Sequence, residues 1–363
     1  AGGPAKLLGD FPLNDVAQVT IKNKDGEVTL RKVSDLWRVK ERGDYLANFD
    51  QISEFIRKAW ELKPVQQPKV GQSHLARLEL AEPGKGDKSG TLVEFKNKDG
   101  KSIGSLMLGK QDMKEGDSQF GGGGFPTGRF VMVPGKLETV SLVSESFSSV
   151  DVKPDQWLNK DFFKVEKLRE VAVTHTNAAS SWRLVREKEG GDWKLADAKK
   201  DEELDTSKTF AYNSLFSSPS FEDVAKPDAK PEDLGLDKPF AVTLGTFDNF
   251  TYTMKLGVKD EEHQYLKFDV AGSFSKTRTA GENEKPEDKE KLDKEHADKV
   301  KQLEEKLKKE QEFSKWTYEV AKWTVDALLK ERKELLKEKK EDDGKKEDKP
   351  AGEDKKEAKP PAP

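Results

Sequence analysis

Apolar and polar residues alternate from Val19 to Lys22 and from Val28 to Val33, on either side of Lys24-Asp25-Gly26. That is the pattern of a β-hairpin closed by a tight turn, and Trp37 to Lys40 continues it as a third strand. The period then changes. Ile52, Phe55, Ile56, Ala59 and Leu62 fall at helical spacing, and either Asn48 or Asp50 is placed to cap the exposed amides of the first turn. Leu78 to Pro83 (LELAEP) follows, with a proline that lacks an N–H donor punctuating the approach to new strands at Thr91–Lys96, Ile103–Leu108 and Phe130–Val133. The predicted module is β-β-β-α-β-β-β, in which a helix covers one face of a mostly antiparallel sheet.

The same order occurs twice. Trp37 and Trp193 are 156 positions apart, and so are Pro83 and Pro239, which close LELAEP (78–83) and LGLDKP (234–239). Residues 19–33 match 173–187 at an offset of 154, the difference being absorbed near Gly190-Gly191. Downstream, LMLGK (106–110) answers MKLGV (254–258), and RFVMVPG (129–135) answers QYLKFDV (264–270). In the second copy Asp205 is expected to cap a helix burying Phe210, Tyr212, Leu215 and Phe216. The fold class is therefore α+β: two tandem repeats of an antiparallel sheet with a covering helix, spanning residues 13–135 and 165–272. Residues 136–164 read as a packed connector, with a short helix at Leu137–Phe147 and the aromatics Phe147, Trp157, Phe162 and Phe163.

Beyond Ser273 the chain turns rich in Lys and Glu. Pro286 opens a helical run in which Val300, Leu303 and Leu307 make a thin apolar stripe, and Phe313, Trp316, Val320, Trp323 and Ala327 a richer one on the opposite face. A break near Gln311 follows from that switch of face. The richer stripe is expected to dock on the body and the thinner one to be solvated. Residues 273–336 thus form a charged helical segment, and 337–363 a low-complexity Lys/Glu/Pro tail expected to be disordered.

Composition narrows the function. Hydrophobic residues are 33% and charged ones 37%, and 65 Lys+Arg against 69 Asp+Glu give a net charge of −4, which offers no basic excess to a nucleic acid. Without cysteine there are no thiol nucleophiles, Cys-ligated zinc sites or disulfides. No apolar run is long enough for a membrane-spanning helix, and a start at Ala1-Gly2-Gly3-Pro4 is compatible with a removed signal or anchor.

Candidate chemistry reduces to near misses. His74, His175, His263 and His296 have no metal-ligand spacing. Gly104 to Lys110 resembles a phosphate-binding loop, but Gln111 stands in place of the Mg²⁺-binding hydroxyl and the alternation favours a strand. Gly121–Gly124 lies in an insertion of about 13 residues present only in the first copy, read as a mobile hairpin loop ahead of a loop folding over a partner. No GxSxG sequence occurs. Trp37 and Trp193 read as core residues ahead of sugar-stacking ones, since they recur in both copies. No catalytic, cofactor-binding or metal-ligating residues are expected.

WxV, a helix, LxLxxP and a strand ending in LG, then a second copy containing PEDLGLDKP (231–239), resembles the bacterial domain of unknown function 4340 family over about Val16 to Gly272. Glu79, where the second copy has Gly235, departs from the family's pattern. The resemblance implies a periplasmic protein held by one N-terminal membrane segment, absent from this sequence, and linked to auxiliary components of ABC-type transport systems such as those of gliding motility. It implies no catalytic residues. The expectation is a non-enzymatic envelope scaffold with protein partners and no nucleic acid. The alternative is a ligand-binding or polysaccharide-handling module using exposed aromatics, Trp157 among them, and the Gly121–Gly124 loop.

Overall fold

The computed structural model describes residues 3–116 and 123–339. In the first module β1 (Gln18–Asn23), β2 (Gly26–Val33), β3 (Leu36–Val39) and β4 (Tyr45–Leu46) precede α1 (Phe49–Glu61). They are followed by β5 (Thr91–Lys96), β6 (Ser102–Lys114), β7 (Phe125–Met132) and β8 (Ser141–Val143). The strands form one antiparallel sheet in the order 4-3-2-1-5-6-7-8. Alternate residues Val19, Ile21, Val28, Leu30, Val93, Phe95, Leu106 and Val131 point to one face and are fully buried. Ile52, Phe55, Ile56 and Ala59 of α1 lie against that apolar core. Of the two candidate caps, Asn48 takes the role: its side chain accepts a hydrogen bond from the Gln51 amide.

The second module repeats this plan with β9 (Leu168–Thr174), β10 (Trp182–Val185), β11 (Lys194–Leu195), β12 (Asp223–Val224), β13 (Phe240–Thr246), β14 (Phe250–Val258), β15 (Gln264–Gly272) and β16 (Tyr318–Val320). Its order is 11-10-9-13-14-15-16-12. Strands β9, β10, β11, β13, β14, β15 and β16 occupy the places of β1, β2, β3, β5, β6, β7 and β8.

Several elements depart from the pattern-based expectation. Asp205 does cap, accepting from the Ser207 amide, but it opens two 3-10 turns (Thr206–Lys208 and Phe210–Ser214) instead of an α-helix. Thr, Ser and Asn compete with a helix through local bonds, here Thr209 Oγ1 to the Thr206 carbonyl and Ser207 Oγ to Asp205. Tyr212, Leu215 and Phe216 are buried as expected, whereas Phe210 is 80% exposed. The helix expected at Leu137–Phe147 is a 3-10 turn (Leu137–Thr139) followed by β8.

The charged helix α2 (Lys289–Gln311) ends at the expected break, but its thin stripe is not solvated. Val300 is buried, Leu303 and Leu307 pack on the core, and α2 lies against β15. Glu310 in its last turn is 4% exposed and accepts from the Tyr252 hydroxyl (2.5 Å), the Lys164 amide (2.9 Å) and the Lys306 ammonium (2.8 Å). Burial, with Glu310 alongside, raises the Tyr252 hydroxyl well above the usual tyrosine pKa. The richer stripe is not one helix either. Tyr318 and Val320 face the core while Thr317 and Glu319 are half-buried, a period of two that makes β16, and only Lys322–Val325 (α3) turns helical afterwards.

The hydrogen bonds therefore draw the module boundaries elsewhere. In the first module Ala47 bridges Leu158, the Asn48 amide donates to the Trp157 carbonyl, and the Asn159 amide to the Leu46 carbonyl. In the second, Leu204 bridges Leu336, the Asp205 amide donates to the Leu335 carbonyl, and the Lys337 amide to the Glu203 carbonyl. Both chain segments also contain a four-residue 3-10 turn just before the bridge, Pro154–Trp157 and Arg332–Leu335. Most of the expected connector is thus the closing strap of the first module, and the end of the expected tail is the same strap of the second. The long helix is an excursion inserted between β15 and β16. Residues 340–363 lie outside the described residues.

The two short motifs have one geometric cause. The Leu78 carbonyl sits 2.4 Å from where a Cβ would stand on Gly109, and the Leu234 carbonyl 2.2 Å from that of Gly257. LxLxxP therefore crosses the end of the LG strand at backbone distance, and only glycine admits it. The departure at Glu79 disappears in three dimensions: Glu79 has φ 53° and Gly235 φ 68°, the same left-handed turn. Pro239 leads directly into β13, while in the first copy a loop separates Pro83 from β5.

Both modules share one continuous apolar core. Across their junction Arg42 pairs with Asp223 through two bonds of 2.9 and 3.0 Å, and the hydroxyls of Tyr45 and Tyr318 lie 3.0 Å apart. A Cβ on Gly43 would meet Pro227 at 3.0 Å and Trp316 at 3.2 Å. Burial pushes the Tyr45 hydroxyl up to about 12.

Four outcomes follow. Glu79→Gly is expected to stabilise the protein by about 1 kcal/mol, read as a higher urea midpoint at unchanged slope, because it relieves a left-handed non-glycine residue. Gly235→Ala should act in the opposite sense, since its Cβ would stand 2.7 Å from the Val258 backbone. A chain ending at Glu312 loses Tyr318, Val320, Val325, Leu328 and Leu335, all at most 1% exposed. At about 2 kcal/mol each the loss is comparable to the whole stability of an ordinary domain, so cooperative unfolding of the second module should vanish, whereas a merely docked tail would leave the melt unchanged. Lastly, Glu202, bonded to the strap residue Arg332 and to the Lys199 amide, is held at about 2 instead of 4.5. Its stabilisation is complete above pH 4.5 and is lost as pH falls through about 2, so Glu202→Gln should flatten the urea midpoint over that window.

Candidate functional site

Two 3-10 turns stand in the second module where the first has α1, and they line one side of a cleft. This cleft of about 800 Å³ forms between the 206–217 segment, the start of β9 and the Gly190-Gly191 hairpin. Its first-module counterpart, about 780 Å³, lies beside Asp15–Gln18 and Lys32. The two are equivalent by backbone pairing: the Lys32 amide donates to the Ala17 carbonyl, and the Arg186 amide to the Arg169 carbonyl.

A cation over a tryptophan recurs in both. Lys32 Nζ stands 5.6 Å from the Trp37 ring, and the Arg186 guanidinium 4.4 Å from the Trp193 ring. Both tryptophans are buried core residues, 5% and 4% exposed, which leaves little ring surface for a sugar to stack on. What differs is the cation. Lys32 is exposed, whereas Arg186 is 7% exposed beneath the 206–217 segment.

Asn213 organises the second-module floor. Its side-chain oxygen accepts from Trp193 Nε1 at 2.9 Å and from Arg186 Nη1 at 3.3 Å, while Arg186 Nε donates to the Leu168 carbonyl at 2.8 Å. Among the described residues Nη2 has no acceptor and no carboxylate lies within ion-pairing distance of this guanidinium. Burial lowers the Arg186 pKa from its ordinary value, with the Glu189 charge opposing, and an arginine remains cationic under such a shift. The other cation lining the cleft, Lys167, is 3.6 Å from Asp248. Glu166, Glu189 and Asp192 stand exposed around the rim.

A second feature adjoins this cleft. Trp323, 70% exposed, lines with Ala211, Leu215, Phe216 and Ala327 a groove of about 400 Å³, and Phe210, 80% exposed and next in sequence to Ala211, lines the larger cleft. Helical periodicity had assigned both aromatics to buried stripes.

The other sequence candidates resolve individually. Trp157 is 1% exposed and donates through Nε1 to the Asp151 carbonyl, so it is unavailable to a glycan. Gly104 to Lys110 lies inside β6. Residues 117–122, including Gly121 and Gly122 of the glycine run, lie outside the described residues; Gly123 and Gly124 lead into β7. The histidines stay apart: His175 bonds the Lys330 carbonyl, His263 the Asp260 carboxylate, and His296 the Ser275 carbonyl. Among the described residues there is no cluster of metal-ligating side chains, and no helix is long and apolar enough to cross a membrane.

Sequence reasoning passed over Arg186 and Asn213. The signal was present in the repeat: Lys32 aligns with Arg186 and, counted from the capping residues, Ile56 with Asn213, an apolar helix position turned polar in one copy.

Among curated proteins and solved structures nothing matches the chain. The family described as Domain of unknown function (DUF4340) matches residues 37–239, from the tryptophan of β3 in the first module to the proline before β13 in the second. That span covers more than half of the sequence and crosses both the first strap and the cleft-forming segment, so the chain belongs to the DUF4340 family.

Proposed function

We propose that this protein is a non-enzymatic, extracytoplasmic interaction module that docks onto a protein of a membrane transport complex through the Phe210–Trp323 face of its second module. The observation that carries this reading is the exposure of those two large aromatics, 80% and 70%, beside an apolar groove in a module whose other large side chains are mostly buried. Exposed aromatics beside an apolar groove are what a partner's surface anchors on, and tryptophan is enriched among the residues that dominate such contacts. A transport complex and a periplasmic setting are what the family resemblance suggests. The first module, with its intact covering helix, serves here as the rigid support for the second.

A photo-crosslinking side chain placed at Trp323 in the natural host's envelope fraction is expected to capture a permease or ATPase subunit, and the same probe at exposed Leu36 of the first module is not. Capture at both positions alike, or at neither, would sink the reading. Phe210→Ser combined with Trp323→Ser should abolish the capture from a third position near the groove while leaving the melting temperature within a few degrees.

A further inference from the structure

The cleft is lined by a largely buried cation, Arg186, 7% exposed, with no carboxylate within ion-pairing distance among the described residues. Removing a charged group from water is costly unless the charge is paired, and Arg186 satisfies only part of that need through two neutral oxygens, the Leu168 carbonyl and the Asn213 amide. Nη2 has no protein acceptor among the described residues, and Arg186 lines a cleft of about 800 Å³, the size of an ordinary small-ligand pocket. The first module shows that the fold does not require this arrangement: the aligned Lys32 remains in solvent, and Ile56 stands as many residues after its capping residue as Asn213 does after Asp205.

The rim selects among anions. Of the three exposed carboxylates that line it, Glu166 is 3.9 Å from Lys306, while Glu189 and Asp192 have no ion-pair partner among the described residues; the one other lining cation, Lys167, is engaged by Asp248. Such a rim repels phosphates and other polyanions and attracts ammonium groups. A single carboxylate for the floor, an ammonium for the rim and an apolar body for the wall at Phe210 describe one class of molecule. We propose that the second-module cleft binds a short peptide through its free carboxylate at Arg186 and its free amine at the acidic rim.

Calorimetric titration of the full chain with the dipeptide alanyl-phenylalanine tests this, alongside its C-terminal amide and its N-acetyl form. The free dipeptide should saturate one site, and the amide should bind about tenfold or more weakly, the usual worth of a charge-assisted bond at a desolvated guanidinium. Arg186→Gln should show the same loss for the free dipeptide, and Lys32→Gln in the first module no change. Because Arg186 also holds the Leu168 carbonyl and Asn213, a second variant guards against misfolding. Glu189→Gln with Asp192→Asn alters only exposed side chains and should erase the preference for the free amine over the N-acetyl form. Equal binding of acid and amide, no binding by the wild type at millimolar dipeptide, or an amine preference untouched by the rim variant would each overturn the proposal. Phe210 borders both surfaces, but the titration is read through Arg186 and the rim carboxylates and the crosslinking through Trp323, so the two experiments can fail independently.

Discussion

Each module depends on a backbone constraint at one point: the chain leaving the small strands must have its amides and carbonyls paired before it can enter the covering segment. The strap supplies those partners. Residues 157–159 return to 46–48, and residues 335–337 return to 203–205, with matching donors and acceptors. A buried peptide group left unpaired costs as much as several apolar contacts gain, so the covering segment is fixed only when the strap arrives. This ties the last described residues to the middle of the chain and makes the helical excursion between β15 and β16 an internal insertion, not an appendage.

The same constraint explains how one fold carries two different surfaces. With both ends of the covering segment held by the sheet and the strap, the residues between can change without loss of the module. In the first copy they form α1 and seal the apolar face with Ile52, Phe55 and Ile56. In the second, residues rich in Thr, Ser and Asn form 3-10 turns, which bury Tyr212 and Leu215, leave Phe210 outside and set Asn213 against Arg186. The Tyr212 hydroxyl, donating to the Ala327 carbonyl, ties that looser segment to the strap side. Duplication followed by relaxation of one copy is a physical route to a binding surface on a rigid support.

The modules do not behave as beads. The paired guanidinium and carboxylate of Arg42 and Asp223, the Tyr45–Tyr318 contact and the close approach at Gly43 all join first-module residues to β12, β16 or their flanks. Since β12 and β16 are themselves paired, a partner pulling on the strap side of the second module would load the junction directly.

What the sequence determined by itself was local or repeated. Alternation placed β1, β2, β3 and β5 closely, helical spacing placed α1, and the constant offset of Trp37/Trp193 and Pro83/Pro239 exposed the duplication, because strand, helix and repeat periods are properties of neighbouring residues. The left-handed turn shared by Glu79 and Gly235 was hidden by side-chain identity, since conformation and not chemistry is what that site conserves between copies. Tertiary structure alone decided that Tyr318 and Val320 add a strand to a sheet begun some 150 residues earlier, and that Trp157 and Leu335 are equivalent. Those partners are distant in sequence and unlike in composition, so no local period records them. It also decided the fate of Phe210 and Arg186: one apolar residue at helical spacing was turned out and one charged residue was turned in, because the second copy's covering segment gives up the helix on which that spacing depends.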